Sequence, residues 1–387
     1  MFLLPILKAL ALLGLTLPLV SYGQLNMTAG VTSIEDPILL GEGRFEDYKT
    51  GIAATPRLLQ TRAPKSDELK LIEEMQRLIS ASRKKTIALI DKQQVVWIGY
   101  RDPYLKHERF VSMSISKSIV AVATGIAVCA GKVNLGDRVD SVLKEFSGKD
   151  LGLAAVRDLL TMTSGTWGGN PDSTIFDAQQ RLLLASGSLG LRDILLSEQV
   201  SRGHRNTVFS AKRKPGEVFA YRSTDPLVMA GILEIVMSEP YGRFIEENIL
   251  KPAGIENPAI SGRDFFGFPR ADSVLRLTLE DWIRVAIWIQ EQRKRADCLG
   301  GFLSAATQRQ AENRAGSNFP QAFKSYGYYF GLDNENVKDS FWAVGFGGQR
   351  IGWSTRNEKI VISFSNSDAK IADLERLFNQ WITQKEK

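Results

Sequence analysis

The chain has 387 residues, 44% hydrophobic and 24% charged, which is enough apolar material for a large core and excludes a disordered or fibrous protein. Its net charge of +6 comes from scattered lysines and arginines, and the short basic runs at 83–85, 212–214 and 293–295 lack interleaved aromatics. They read as solvated surface rather than a nucleic-acid interface. With two cysteines and two histidines, no Cys/His cluster exists, so neither a metal nor a cofactor is expected.

Residues 1–23 have the pattern of an export signal: Lys8, an apolar core over 9–20, then Ser21, Tyr22 and Gly23 before Gln24. Pro5, Pro18 and marginal length argue against an uncleaved anchor, and no later segment is long and apolar enough to cross a bilayer. A soluble exported protein is expected, periplasmic in a double-membraned bacterium. Residues 24–65 show no sustained period and predict an extended arm.

The spacing of Leu71, Ile72, Met75, Leu78 and Ile79 predicts a helix over 66–82. Segments 86–90 and 95–100 then read as a β-hairpin. An Ala/Val/Ile-rich run over 118–130, closed by Gly131, reads as a buried central helix. Cys129 in that helix reads as a buried free thiol, although a bridge to the distant Cys298 is open to an exported chain.

Helices are expected at 153–162, 176–185, 225–237 and 278–291, a second hairpin at 349–354 and 359–364, and an amphipathic helix at 369–385. The predicted fold is α+β: an antiparallel sheet lobe, flanked by helices, from 66–139 and 321–387, beside a mostly helical lobe over 140–320. A cleft between the lobes is the natural place for a site.

The chemistry centres on Ser114-Ile115-Ser116-Lys117, just ahead of the apolar helix. Residues three apart at a helix start share a face, so an amine can reach a hydroxyl. His107 and His204 offer little for a Ser-His-Asp triad and no G-x-S-x-G elbow occurs, so lysine is the candidate base. Ser82/Lys85, Ser141/Lys144 and Ser367/Lys370 repeat the spacing in polar surroundings. The plain alternative is an N-cap serine with a surface lysine.

Two other segments carry candidates. Tyr221, after the Pro215-Gly216 turn, sits on a loop where a phenol near a lysine ammonium would be favoured as phenolate and relay protons, or it is a packed aromatic. Gly345-Phe346-Gly347-Gly348 precedes a strand, where glycines let a ligand approach freed N–H groups, or it is a plain turn.

Ser114-Ile-Ser-Lys117, the Arg157-to-Gly165 segment ending Thr-Met-Thr-Ser-Gly, Pro215-Gly-Glu-Val-Phe-Ala-Tyr221, Tyr326-Gly-Tyr-Tyr-Phe-Gly331 and Gly345-Phe-Gly-Gly-Gln-Arg-Ile351 come in one order. Together they resemble the signature segments of the serine β-lactamase-like hydrolases, over about 65–385, closest to the 6-aminohexanoate-dimer hydrolase and carboxylesterase branch. The resemblance implies a β-lactamase/transpeptidase-like fold, Ser114 as nucleophile, Lys117 as its base and Tyr221 as proton relay. It also implies an oxyanion hole from the Ser114 and Phe346 N–H groups, and substrate contacts from Ser223, Arg222, Trp167, Gly345 and Gly347.

Penicillin-recognising members carry a Lys-Thr-Gly type triplet where this chain has Ala343-Val344-Gly345, and Tyr-x-Asn where it has Tyr221-Arg222-Ser223. The expected substrate is therefore a small linear amide or ester. A penicillin-binding D,D-peptidase or β-lactamase, and a non-catalytic binding protein on the same fold, are the alternatives. Arg222 is expected either to meet an anionic substrate end or to face solvent. Aromatics at 167–174, 265–268 and 328–330 either line a substrate channel or fill the core.

Overall fold

The computed structural model describes residues 47–165, 187–197 and 213–384; the segment read as an export signal, Trp167, the helix expected at 176–185 and His204 lie outside them. Its centre is an eight-stranded sheet, antiparallel at every pairing among the described residues, in the order β3 (Gln94–Tyr100), β2 (Lys84–Asp91), β12 (Lys359–Ser365), β11 (Gln349–Ser354), β10 (Ser340–Gly345), β9 (Gly331–Asn334), β8 (Phe323–Tyr326) and β7 (Ala311–Glu312). The first hairpin, β2 (Lys84–Asp91) and β3 (Gln94–Tyr100), joins the last, β11 (Gln349–Ser354) and β12 (Lys359–Ser365), through β2 and β12. Register there sets Ile90 opposite Ile360 and Ala88 opposite Ile362. Every β12 residue is buried, which is why that strand reads as a continuous apolar run rather than an alternation. The sheet is thus built from both chain ends, as the two hairpin patterns predict.

Helix α1 (Ser66–Ala81) buries Leu71, Met75, Leu78 and Ile79. Helix α2 (Ile115–Cys129) is buried over almost its whole length, matching its all-round apolar sequence. Three further helices, α3 (Thr224–Met237), α4 (Leu279–Arg293) and α5 (Cys298–Ala306), precede the terminal α6 (Ile371–Thr383). Helix α6 carries Trp381, fully buried, whose Nε1 donates to Glu68 of α1 at 2.9 Å. The segment before α1 runs extended, with Arg62 bonded to both Glu68 and Asp91.

Three readings need correction. The helix expected at 153–162 is a 3₁₀ turn (Asp150–Leu153) and a short helix (Val156–Leu160). A second, four-stranded sheet, β1-β5-β6-β4, stands partly inside the stretch read as helical. Its strands β1 (Tyr48–Lys49), β4 (Phe110–Val111), β5 (Ile260–Ser261) and β6 (Leu275–Leu277) are two or three residues long, too short for a period-2 signal. The same brevity hid β7 (Ala311–Glu312), β8 (Phe323–Tyr326) and β9 (Gly331–Asn334) beside β10 (Ser340–Gly345). Finally, Cys129 is not a free thiol: it is bonded to Cys298, tying the end of α2 to the start of α5.

Candidate active site

Ser114 occupies the N-cap position of α2, yet its side chain makes no capping hydrogen bond. The residue before it, Met113, has φ of 45°, a left-handed backbone that is costly for a long side chain and forms a sharp entry to the helix. Ser112 beneath is fully buried, its hydroxyl 2.5 Å from Ser116 Oγ and also accepting the Leu275 N–H. The turn is thus fastened to β6 from below, and the Ser114 hydroxyl is left for other partners.

Those partners are Lys117 and Tyr221. Lys117 Nζ donates to Ser114 Oγ at 2.8 Å, to the Asp272 carbonyl at 2.8 Å and to Ser223 Oγ at 3.3 Å. Its side chain is only 1% exposed, so the surface-lysine alternative does not hold. Burial, assisted by the nearby Arg270 charge and opposed by Asp272, lowers the ammonium pKa to about 8. Neutral amine is therefore accessible near physiological pH.

Tyr221 shares a hydrogen bond with the Ser114 side chain, and its ring centroid is 5.2 Å from Lys117 Nζ. Burial pushes the phenol well above its ordinary value, more than the Ser114 bond and Arg350 lower it. The phenolate expected from a neighbouring ammonium is thereby corrected: the same dry surroundings disfavour both charged forms. Phe319, at 5.1 Å between ring centroids, and Tyr326, edge-on at 6.1 Å, hold the ring. The Tyr221 N–H donates to the Ser317 carbonyl at 2.7 Å.

The β10–β11 turn lies against the same place. A Cβ on Gly345 would sit 2.6 Å from the Ser112 carbonyl oxygen, so only glycine lets the end of β10 come this close to the turn that leads into Ser114. Among the described residues neither the Ser114 nor the Phe346 N–H donates to another backbone group. The Gly347 N–H, by contrast, donates to Asp368 at 3.0 Å. Gln349 Nε2 caps the Phe346, Gly347 and Ser365 carbonyls, and buried Arg350 donates to the Gly345 carbonyl at 2.8 Å.

Arg222 is 3% exposed and turned inward to the Ala220 carbonyl, Ser164 and Asp225, so it does not face solvent. Trp167 lies outside the described residues. Tyr328, Tyr329 and Phe330 are core residues, whereas Phe265 and Phe266 are exposed. Sequence reasoning missed the Asp272 carbonyl, since any residue offers one, and missed Arg350 and Asp368, whose roles depend on the turn geometry.

The family model described as Beta-lactamase matches residues 70–380. No curated protein matches the chain. Among solved structures, a Bacillus anthracis protein assigned as a 6-aminohexanoate-dimer hydrolase superposes with a TM-score of 0.69 at 15% identity, covering 87% of this chain and 90% of its own. A penicillin binding protein from Bacillus halodurans gives 0.60 at 16% identity, covering 80% and 99%. EstCE1, a hydrolase with promiscuous acyltransferase activity, gives 0.60 at 14%, covering 81% and 99%. At these identities the likeness concerns the fold alone. The family match over most of the chain makes it a member of the beta-lactamase family of serine hydrolases.

Proposed function

We propose that the protein is an exported serine hydrolase that cleaves small linear amides or esters through an acyl-Ser114 intermediate. The observation that carries this reading is the 2.8 Å contact between Ser114 Oγ and a buried Lys117 amine whose pKa is lowered to about 8. Neutral Lys117 takes the Ser114 proton as Oγ attacks the carbonyl carbon. The Ser114 and Phe346 N–H groups hold the oxyanion. Tyr221, kept as a neutral phenol, donates its proton to the leaving nitrogen or oxygen as the bond breaks, and is reprotonated through the Ser114–Lys117 contact. Water then attacks the acyl carbonyl as Lys117 takes its proton, and the acyl–Ser114 bond breaks to release the acid as the Lys117 ammonium returns that proton to Ser114 Oγ.

The substrate class follows from what the site lacks. Ala343 is a buried strand residue opposite Ile351, and Arg350 is turned back onto its own turn, so neither anchors a substrate carboxylate. That favours neutral linear amides and esters over β-lactams, and the similarity to the Bacillus anthracis protein and to EstCE1 points the same way. Export is supported by the apolar segment 9–20 and by the Cys129–Cys298 disulfide, a bond that persists in oxidising compartments. Among the described residues no helix is long and apolar enough to cross a membrane.

Turnover of p-nitrophenyl acetate and butyrate by wild type, and its loss in Ser114→Ala, is the expected result. Equal turnover by the two proteins would remove the serine from the chemistry. Stable acylation by a penicillin would move the assignment to the peptidase side of the family.

A further inference from the structure

The loop that carries Tyr221 stands on a buried charged pair that the chemistry above does not use. Arg222 is 3% exposed and Asp225 fully buried, with Arg222 Nε 3.9 Å from Asp225 Oδ2. Asp225 accepts the Ser164 hydroxyl at 2.7 Å, the Thr224 hydroxyl at 3.1 Å and the Ser164 N–H. Arg222 donates through Nε to the Ala220 carbonyl at 2.7 Å and through Nη1 to Ser164 Oγ at 3.2 Å. These bonds close on both sides of Tyr221. The Arg222 side chain returns to the residue before the tyrosine, and Asp225 ties the first turn of α3 to the turn ending at Gly165. That turn is itself packed on the segment leading to Tyr221: a Cβ at Gly165, where φ is 77°, would lie 2.3 Å from the Arg213 carbonyl oxygen.

Burying two charges is unfavourable compared with apolar packing of the same volume, and is best explained where it fixes one conformation among several. Here the conformation fixed is that of 220–225, which presents both Tyr221 and Ser223 to the Ser114–Lys117 pair. On the reading that Tyr221 protonates the leaving group, we propose that Arg222, Asp225 and Ser164 are positioning residues, a buried clamp that holds the Tyr221 hydroxyl on Ser114 during acyl transfer. They act through Tyr221 and contact no reacting atom themselves.

The clamp has a signature that a general structural role lacks. p-Nitrophenolate leaves without a proton, whereas an alkoxide must be protonated as it departs. The double variant Arg222→Leu/Asp225→Leu, which leaves neither charge buried alone, and Ser164→Ala are compared with wild type and Tyr221→Phe on ethyl butyrate and on p-nitrophenyl butyrate. The expected result for the clamp variants is a loss in kcat of about 10-fold or more on the ethyl ester, at most about 3-fold on the p-nitrophenyl ester, with KM little changed. Tyr221→Phe shows the same asymmetry, more strongly. Should the double variant not fold, Ser164→Ala carries the test by itself.

Equal losses on both esters, or no loss on either, in variants that melt cooperatively would overturn the clamp while leaving the hydrolase reading intact. A wild-type protein that turns over neither ester and whose Ser114 is not labelled by a fluorophosphonate overturns that reading, and the clamp with it.

Discussion

Lys117 is where composition, burial and chemistry meet. Because its pKa is lowered to about 8 and the neutral amine is the active form in the proposed mechanism, kcat/KM should rise about tenfold per pH unit below that value and level off above it. The same shift opposes folding. Between about 8 and the ordinary 10.5 the unfolded chain binds the proton more tightly, so stability rises with pH across that window, and below it the full cost remains. Lys117→Met is therefore predicted to abolish esterase activity while raising stability at pH 7 by about 1–3 kcal/mol, read by denaturant unfolding. The Ser114–Lys117 contact could be anticipated from helical spacing and an all-apolar successor, whereas the roles proposed for the two residues rest on the ordered set of motifs that resembles the family. The inward turn of Arg222 could not be anticipated. Whether an arginine beside a tyrosine faces a cleft or the interior depends on Asp225 and on Ser164, which lies 58 positions away.

At the scale of elements, α2 is a rod held at both ends, by the Ser112 fastening to β6 at one and by the disulfide to α5 at the other. The bridge spans 169 positions, so its removal in Cys129→Ala/Cys298→Ala should cost about 2–5 kcal/mol. Activity of the folded variant should stay within about threefold of wild type, because Cys129 lies just over four helical turns from Ser114. Guanidinium denaturation and p-nitrophenyl butyrate turnover on one preparation check both halves. The contact between β10 and the nucleophile turn makes the opposite forecast. Gly345→Ala forces a Cβ to within 2.6 Å of the Ser112 carbonyl oxygen, so it should cut kcat about 100-fold with a smaller loss of stability. The long hairpins and α2 could be read from periodicity. The short strands of the second sheet could not, because two or three residues carry no period and are defined only by their pairing partners.

Across the whole molecule, the two chain ends share one sheet and meet again where Trp381 of α6 donates to Glu68 of α1. Burial would raise the Glu68 pKa, but hydrogen bonds from Arg62, the Lys65 N–H and Trp381 outweigh it and lower the value to about 2. The stabilisation is thus complete above the ordinary value of 4.5 and is lost as pH falls through about 2. Glu68→Gln should flatten the acid limb of the stability curve, and Trp381→Ala should cost about 3–5 kcal/mol, both read by thermal unfolding as a function of pH. The union of the ends was visible in the sequence as two hairpins with similar apolar patterns. Their strand order was not, since it is set by which edges remain open once the helices are in place.

If a dry, neutral Lys117 activates Ser114, the rate of fluorophosphonate labelling must follow the titration of that amine. The expected outcome is a single adduct on Ser114, a second-order rate that climbs to a plateau with an apparent pKa of about 8, and a loss of about 100-fold or more together with the pH dependence in Lys117→Ala. An adduct on another residue, or a Lys117→Ala protein labelled at the wild-type rate with the same pH profile, would contradict it.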